Sequence, residues 1–589
     1  MKKTKIVTLT SLLFVLSACF GGTGGNSKKS GEYNYSKQYK YDEEFHWQYA
    51  IGHPEIKKNY AEHEFDEEKT DSVGRTYHQC LICRYKEYID ASSNGFSNVT
   101  EFASPIEIHT EYQKRYLSYN DTDYDKMPQN SYPDGSKNIS DPEFTKIFWK
   151  YDAHRDDLVY SISISQNEDM EDSFVIMGDN KQEINAYNFY LGKNYYRINA
   201  IDPFGETHSS KVYSLTVGSA CPRNLYVGAR MTNCRDTGGR EIITGGHIKQ
   251  GLLYRTCGNG YNQDGKKIDD EGKKIMLDQL KVKTELNCHN NSSYDFNFDG
   301  TTRYATLMDY ADGSPSKHHF SRNTESVKNV FEILAKEECY PIFYHCRIGT
   351  DRTGLVAILL NGVLGVSLND IYQDYLFSNF GKIGSKRKIG TNEADDIANY
   401  IKEINSLPGS NFNQKCYNAL LTIGVSKTTI NKIMDILIQG EKPNYENEQV
   451  VVAAKDMSVA NGTISYTSKD SLIDRTAPAS YTKLDAGVSA TASFNLAAAG
   501  EKVAYIYVGN NDASASKMIE SSISATFDGK TIAIPSISFK EAGMGYCSGN
   551  RTNYYFVKLG DLGNVLTGEH SITITGLANN LVLGNIAVL

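Results

Sequence analysis

The chain has 589 residues, of which 40% are apolar and 23% charged, as in folded, soluble proteins. At about 150 residues per domain, this length predicts three to five domains. The net charge of -9 argues against nucleic acid as a partner, because binding a phosphate backbone needs concentrated Lys and Arg.

The first residues have the pattern of a secretory signal. Three lysines precede an apolar run, residues 6–16, that is too short to span a bilayer. The run ends in Leu-Ser-Ala-Cys at Cys19, which resembles the lipobox of bacterial lipoproteins. That resemblance implies a signal peptide at 1–18, a lipid on Cys19 and a place on the outer face of the bacterial cytoplasmic membrane. The alternative is an ordinary secretory signal with a chance cysteine.

A flexible tether is predicted at 19–39, followed by a small module at 40–92. In that module two cysteines stand in a C-x-x-C turn with two histidines upstream, which are the donors of a tetrahedral zinc site. The candidate metal ligands are His53, His63, Cys80 and Cys83. The segment resembles the small His/Cys-bearing repeats of bacterial surface proteins. The alternative is a solvated, histidine-rich segment with a disulfide between the cysteines.

Residues 105–217 alternate in the manner of strands, as in LVYSISIS, NYYRINAI and KVYSLTV. They resemble a fibronectin type III sandwich, which would serve as a spacer. From 218 to 440 the pattern changes to helices alternating with short apolar strands, as in an α/β domain. KVKTELN and YPIFYH are predicted strands, and Ser367 and Ser426 are predicted N-caps of helices.

A linker is predicted at 441–448 and a β-sandwich at 449–589, where strands such as KVAYIYVG and HSITITG are parted by Gly, Asn and Asp turns. This sandwich is similar in pattern to galactose-binding-like carbohydrate modules. The resemblance implies a glycan as a partner. A purely structural sandwich is the alternative.

The chemistry is concentrated in the stretch YPIFYHCRIGTDRTGLVAILL. An apolar strand ends at His345, a loop follows, and a helix starts near Thr353, so that backbone N–H groups and the helix dipole converge on one point. Such a loop binds a tetrahedral dianion and lowers the pKa of a cysteine thiol. Gly349 lets the backbone approach a phosphate closely, and Arg352 can donate two hydrogen bonds to its oxygens.

HCRIGTDRTG is the Cys-x5-Arg signature of cysteine-dependent phosphatases, and Asp immediately before the arginine is typical of the bacterial tyrosine- and lipid-phosphatase type. NLYVGARMTNCRDTGGR and GLLYRTC upstream also resemble that family, which covers about 220–440. The expected fold is therefore multidomain, with an α/β cysteine-phosphatase domain flanked by a fibronectin type III-like sandwich and a C-terminal sandwich.

The resemblance also implies roles for the residues of the loop. Cys346 would attack phosphorus, Arg352 would hold the phosphoryl oxygens, Thr353 would bond the sulfur, and His345 would support the loop. Asp351 would be the general acid, with a loop-stabilising salt bridge as the alternative. The predicted substrate-binding residues are Arg347, Ile348, Gly349 and Thr350.

Three further carboxylates are candidate acids, namely Asp309, Asp312 and Glu285. Arg235, Asp236 and Arg255 are expected to form a structural ion network, with substrate contact as the alternative.

The leading hypothesis is a phosphomonoesterase that needs no cofactor for catalysis and forms a cysteinyl-phosphate. Its substrates would be phosphotyrosine proteins, phosphoinositides or inositol phosphates. One alternative is a catalytically silent surface adhesin. Another is a carbohydrate-attachment protein with an accessory phosphatase fold.

Overall fold

The computed structural model describes residues 33–589 except 43, 71–75, 89–93, 120–123, 136–139, 262–264, 290–291, 309–322, 385, 390–396, 406, 408, 446–449, 467–479, 511–516, 539–552 and 580. The predicted signal peptide and Cys19 lie outside these residues. Contacts divide the chain into two compact units, Met1–Ser92 and Ser93–Leu589. Within the described part of the chain, no helix combines the length and the apolar character that crossing a membrane requires.

The first unit consists of two small antiparallel sheets. One is formed by the strands Lys40–Tyr41, Phe45–Ala50 and His53–Glu62, and the other by Lys69–Thr70, Thr76–Gln79 and Lys86–Tyr88. The turn at Ile51 and Gly52 joins the two longest strands into a hairpin, which Ala50 and His53 close as the last pair.

The second unit begins with a β-sandwich. Its strands are Phe96–Ser97, Thr145–Phe148, Lys150–Tyr151, Val159–Ser165, Phe174–Met177, Glu183–Ala186, Gly192–Ile201, Thr207–Ser209 and Tyr213–Val217. The core between the two layers contains Trp149, Tyr160 and Ile198. A short helix, Glu111–Leu117, starts at a capping box made by Thr110 and Gln113. The assignment to the fibronectin type III family stays a prediction.

The central domain is α/β. Within the described residues its main sheet has the strand order Arg235–Asp236, Leu253–Thr256, Ile342–His345, Thr284–Asn287 and Thr302–Ala305. The first pair is antiparallel, and the others are parallel. The helices are Asp270–Lys274, Thr324–Leu334, Asp351–Leu364, Leu368–Phe377, Ala398–Asn405, Phe412–Thr422 and Lys427–Leu437. Ser367 and Ser426 cap their helices as predicted, by accepting from the N–H groups of Asp370 and Thr429.

The register of the three central strands aligns three cysteines. His345 is paired with Thr256 on one side and with Asn287 on the other. The next residues are therefore neighbours at the carboxyl ends of these strands, and they are Cys257, Cys346 and Cys288. All three are buried and free. In open α/β sheets this edge is where ligands bind.

The C-terminal region is a second β-sandwich with antiparallel strands. Its strands are Val450–Ala453, Ser458–Ala460, Ile464–Tyr466, Ser480–Lys483, Ser489–Leu496, Gly500–Asn510, Ile523–Phe527, Lys530–Thr531, Asn553–Val565, Gly568–Gly576 and Leu581–Val588. Inward and outward residues alternate along Ser489–Leu496, as expected for a strand with one face in the core. Of the predicted linker, Tyr445 packs on the central domain and donates a hydrogen bond to the carbonyl of Val363 at 2.8 Å.

Candidate active site

The predicted phosphate loop lies between the Ile342–His345 strand and the Asp351–Leu364 helix. Every residue of that helix is buried, so its N-terminus is held in the interior, where the helix dipole is poorly screened. Gly349 has a φ of +74°, and a Cβ there would overlap the carbonyl oxygen of Thr256. The loop therefore needs glycine at this position for both backbone conformation and space.

The carbonyl groups of the loop are bonded on its outer side. Arg255 donates from Nε to the oxygen of Gly349 at 2.9 Å and from Nη2 to the oxygen of Thr350 at 3.0 Å. Asn233 donates from Nδ2 to the oxygen of Ile348 at 3.1 Å. Because the C=O and N–H of a peptide unit point in opposite directions, the N–H groups that follow these carbonyls face the inner side. This is the arrangement of an anion cradle.

A buried ion network fixes those donors. Arg255 and Arg235 both bond to the carboxylate of Asp374, at 2.6 and 2.7 Å. Burial alone would raise the pKa of Asp374, but the two arginines outweigh it and hold the pKa well below its usual range. Asp236 pairs with Arg223 at 2.8 Å, with both side chains fully buried. The prediction of a structural network is thus confirmed for Arg235, Asp236 and Arg255.

Cys346 lies in the cradle and is 1% exposed. Burial raises the pKa of its thiol, but the charge of Arg352 and hydrogen bonds from Thr353 outweigh burial, so that the net pKa is below the ordinary value. Burial raises the pKa of both Cys257 and Cys288 to about 12. Of these three adjacent cysteines, Cys346 therefore has the pKa of a reactive thiol, and the other two have the pKa of inert thiols.

His345 stands behind the loop. Its Nδ1 lies 3.0 Å from the carbonyl oxygen of Cys346, and its Nε2 lies 2.9 Å from Oε1 of Glu285. Glu285 also accepts from the N–H groups of Phe296 and Asn297, and its side chain is fully buried. The prediction of Glu285 as an acid is therefore wrong, because both of its oxygens are already bonded away from solvent.

Asp351 is the first residue of the Asp351–Leu364 helix and is held by Arg387. Arg387 donates from Nε to Oδ1 at 2.8 Å and from Nη2 to Oδ2 at 3.0 Å, and both residues are nearly buried. Such a bidentate pair favours the ionised carboxylate. Asp309 and Asp312 lie outside the described residues.

Arg347 leaves the loop on its exposed side. Its guanidinium lies 5.4 Å from the ring centroid of Tyr261 and 5.8 Å from that of Tyr294. The structure thus brings together Cys346, Arg352 and Thr353 in the cradle, with Gly349 and Thr350 in its wall and Arg347 at its mouth.

Sequence reasoning missed three residues of this site, which are Asn233, Asp374 and Arg387. Asn233 stands in the quoted segment NLYVGARMTNCRDTGGR, two residues before an arginine that was singled out. Asp374 could have been suspected as the acid in the middle of the helix predicted from SLNDIYQDYLFSNF, where it has no part in the N-cap. Arg387 lies in a basic, irregular segment, and nothing in the sequence indicates its partner.

In the first unit four side chains form a second candidate site, which could hold a metal ion. The ligand atoms of His46, His63, Cys80 and Cys83 all lie within 4.8 Å of one another. His46 Nδ1 is 3.8 Å from Cys80 Sγ, and His63 Nδ1 is 3.4 Å from Cys83 Sγ. A tetrahedral zinc ion separates a nitrogen and a sulfur ligand by about 3.6 Å.

The prediction of His53 as a ligand is wrong, and His46 takes its place. His53 stands beside the hairpin turn with an exposed side chain, 3.3 Å from Glu55. His46 is paired with Ala61 at the other end of the hairpin, the end where His63 follows. His63 Nε2 contacts the carbonyl oxygen of Asp42 at 2.9 Å, which leaves Nδ1 for a metal.

Comparisons with known proteins place a family domain in the centre of the chain. Residues 228–440 match the model of the tyrosine phosphatase family. No curated protein matches the chain.

Three solved structures show weak overall likeness. The core catalytic domain of the PP-IP phosphatase SIW14 from S. cerevisiae is 19% identical, with 26% of this chain and 80% of that chain covered and a TM-score of 0.18. A family 35 carbohydrate-binding module from Clostridium thermocellum is 16% identical, with 24% and 98% covered and a TM-score of 0.18. The C-terminal CBM6 of LamC, a laminarinase from Zobellia galactanivorans, is 9% identical, with 24% and 98% covered and a TM-score of 0.17.

Likenesses at these TM-scores add nothing on function, so the family match and the geometry of the loop carry the conclusion. Residues 228–440 form a tyrosine phosphatase family domain within a larger multidomain chain.

Proposed function

We propose that the protein hydrolyses phosphomonoesters through a cysteinyl-phosphate intermediate. The observation that carries this proposal is the cradle around Cys346. The outward-bonded carbonyls leave N–H groups on the inner side, and Arg352 and Thr353 lower the pKa of the thiol. A thiolate facing converging N–H donors is equipped to attack a bound phosphoryl group.

The reaction has two steps. The Cys346 sulfur forms a bond to phosphorus while the bond from phosphorus to the ester oxygen breaks, and the leaving oxygen takes a proton from the general acid. Water then attacks phosphorus, gives a proton to the same group acting as a base, and displaces the sulfur as thiolate. Through both steps Arg352 and the loop N–H groups bind the equatorial oxygens, where negative charge accumulates.

Three neighbours assist in different ways. Thr353 lowers the pKa of the Cys346 thiol, which stabilises the thiolate both before attack and on departure. His345 and Glu285 hold the strand end behind the nucleophile. Asp351 is our candidate acid and base, and its pairing with Arg387 supports the salt-bridge alternative equally.

The substrates we propose are phosphotyrosine proteins, phosphoinositides or inositol phosphates. The test is phosphate release from a phosphotyrosine peptide, a phosphoinositide and inositol hexakisphosphate by residues 20–589, under reducing conditions with EDTA. The variant Cys346→Ser is the control, and we expect it to abolish release. Intact substrates in the presence of well-folded wild-type protein would show that the domain is a binding scaffold.

We also propose that a lipid on Cys19 anchors the protein outside the cytoplasmic membrane. Metabolic labelling with a fatty-acid analogue tests this, since Cys19→Ala should remove both the label and the membrane association.

We propose a glycan as the ligand of residues 449–589. A glycan array tests this, and binding to no glycan would mean that the C-terminal sandwich has a structural role.

For the first unit we propose a structural zinc ion held by His46, His63, Cys80 and Cys83. The support is the donor set, which is the kind that zinc prefers, and the mutual distances of its atoms. Such an ion stabilises a small module that has little apolar core of its own.

A further inference from the structure

A cavity of about 320 Å³ lies beside the catalytic loop. Its walls include the side chains of Tyr261, Lys382, Lys386 and Asp134 and the backbone of Gly381 and Gly384. Tyr261 forms one wall of the cavity. Its ring also lies against the guanidinium of Arg347, the residue that follows Cys346.

Hydrogen bonds attach the lysine-bearing segment to the active site. The N–H of Lys382 donates to Oγ1 of Thr232 at 3.0 Å. The side chain of Asn379 accepts a hydrogen bond from the backbone N–H of Arg387 at 2.7 Å, and the Arg387 side chain forms a salt bridge with Asp351. The cavity thus has a fixed position relative to the cradle.

Positive charge exceeds negative charge around this cavity. Among the residues that line the cavity, Lys382 and Lys386 are cations and Asp134 is the one described carboxylate, with an oxygen 3.6 Å from Lys386. Arg347 adds a third positive charge next to Tyr261, one of the lining residues. The segment FGKIGSKRK, residues 380–388, contains no acidic residue at all. The single phosphate of a simple phosphomonoester binds in the cradle and leaves these cations without an anionic partner on the substrate. A second anionic group on the same molecule would pair with them.

We propose that this cavity is a subsite for a second phosphate of the substrate. This inference rests on the proposed function: of the substrate classes proposed there, the phosphorylated polyols are those that carry a second phosphate close to the first, so the substrate is a compact polyol with two or more phosphates. The cradle takes the phosphate that is hydrolysed, and Lys382 and Lys386 bind its neighbour. A free polyol and the headgroup of a lipid present the same chemistry to the cavity, and the test below distinguishes these two sources.

The test compares two variants of equal charge change in residues 20–589. Lys382→Gln/Lys386→Gln alters the cavity, and Lys427→Gln/Lys432→Gln alters the exposed face of the Lys427–Leu437 helix. The substrates are p-nitrophenyl phosphate, an inositol monophosphate, an inositol bisphosphate and a short-chain phosphatidylinositol bisphosphate. Thermal unfolding of each variant verifies the fold.

We expect the cavity variant to raise KM for the bisphosphates about tenfold, as the loss of two charged contacts predicts, and to leave p-nitrophenyl phosphate turnover within about twofold. The helix variant should change neither. Asp134→Asn should act in the opposite direction and lower KM for the bisphosphates, because it frees Lys386. The ratio of free to lipid-linked bisphosphate turnover then identifies the source of the polyol.

An equal loss on all substrates, or no loss on the bisphosphates, would overturn the subsite while the phosphatase function stands. If the wild-type protein releases phosphate from none of the four substrates, the proposed function fails and the subsite fails with it.

Discussion

At the scale of single residues, Cys346 differs from the cysteines beside it on the sheet. Arg352 and Thr353 lower the pKa of Cys346, whereas burial raises the pKa of Cys257 and Cys288 to about 12. At neutral pH the two neighbours are therefore thiols, and the thiolate that reacts belongs to the cradle.

We predict that iodoacetamide labels Cys346 before Cys257 or Cys288 between pH 6 and pH 8. The thiolate fraction of Cys346 rises with pH and is already present below the ordinary pKa of cysteine, so the labelling rate should reach its plateau early. Peptide mapping by mass spectrometry measures the site and the rate. Orthovanadate should slow the labelling of Cys346. A labelling rate that is the same with and without orthovanadate would mean that the cradle binds no oxyanion.

The pair Asp351–Arg387 allows the two roles of Asp351 to be separated. If Asp351 is the acid, Asp351→Asn should lower kcat on an alkyl phosphate about 10²- to 10⁴-fold, and less on p-nitrophenyl phosphate, whose leaving group needs little protonation. Arg387→Met removes a positive charge that favours the ionised form, so the descending limb of kcat/KM should move to higher pH.

The salt-bridge alternative gives a different result for the same two variants. Both would then lower the unfolding temperature by similar amounts, and the pH limb would stay in place. In that case Asp309→Asn and Asp312→Asn become the next variants to assay.

At the scale of elements, the loop requires glycine at position 349, whereas the helix that follows has room for a larger residue at position 354. Gly349 is in the left-handed region and its Cβ would overlap Thr256, whereas a Cβ on Gly354 would find its nearest atom at 3.5 Å, on Tyr375. Gly349→Ala should therefore reduce phosphate release at least 100-fold, because the carbonyls held by Arg255 and Asn233 would be displaced. Gly354→Ala should keep activity and gain up to about 1 kcal/mol of helix propensity. Equal activity of the two variants would contradict the rigid cradle.

The histidines of the first unit provide a matched pair for the metal site. We predict that His46→Ala loses zinc and that His53→Ala keeps it, because the four ligand atoms converge around His46 and not around His53. Elemental analysis of purified residues 20–589 measures the zinc content. If the wild type contains no zinc and mass spectrometry finds a disulfide between Cys80 and Cys83, the zinc proposal is wrong. The alternative drawn from the sequence, a disulfide between these cysteines, is then correct.

Local patterns predicted elements better than they predicted partners. Ser367 and Ser426 were recognisable as caps because the N-cap interaction spans three residues of contiguous sequence. The loop of Cys346 was recognisable because strand, loop and helix are contiguous. His46 was missed because its proximity to the cysteines depends on the pairing of a hairpin. Arg387 was missed because its partner lies 36 residues away, a separation that no local pattern encodes.

At the scale of the whole molecule, the first sandwich of the second unit is joined to the central domain by buried polar contacts. Tyr116 donates to the carbonyl of Gln373 at 2.7 Å. Arg223 donates to the carbonyls of Asn188 and Phe189 in the sandwich, at 2.7 and 2.9 Å, and to Asp236 in the first strand of the main sheet. Asp236 also accepts from the N–H groups of Gly238 and Gly251. The arginine thus connects the sandwich to the Arg235–Asp236 strand of the main sheet.

Replacing Arg223 should therefore destabilise more than one domain. Arg223→Met leaves the carboxylate of Asp236 buried without its cation, which costs about 3–5 kcal/mol and should lower Tm by about 10 °C. Arg230→Met breaks a partly exposed pair with Asp269 at 3.5 Å and should cost about 1 kcal/mol or less. Scanning calorimetry of residues 20–589 measures both variants. Similar Tm values for the two variants would mean that the sandwich contributes little to the stability of the central domain, whereas the larger loss at Arg223 would show that the two domains stabilise each other through this buried pair.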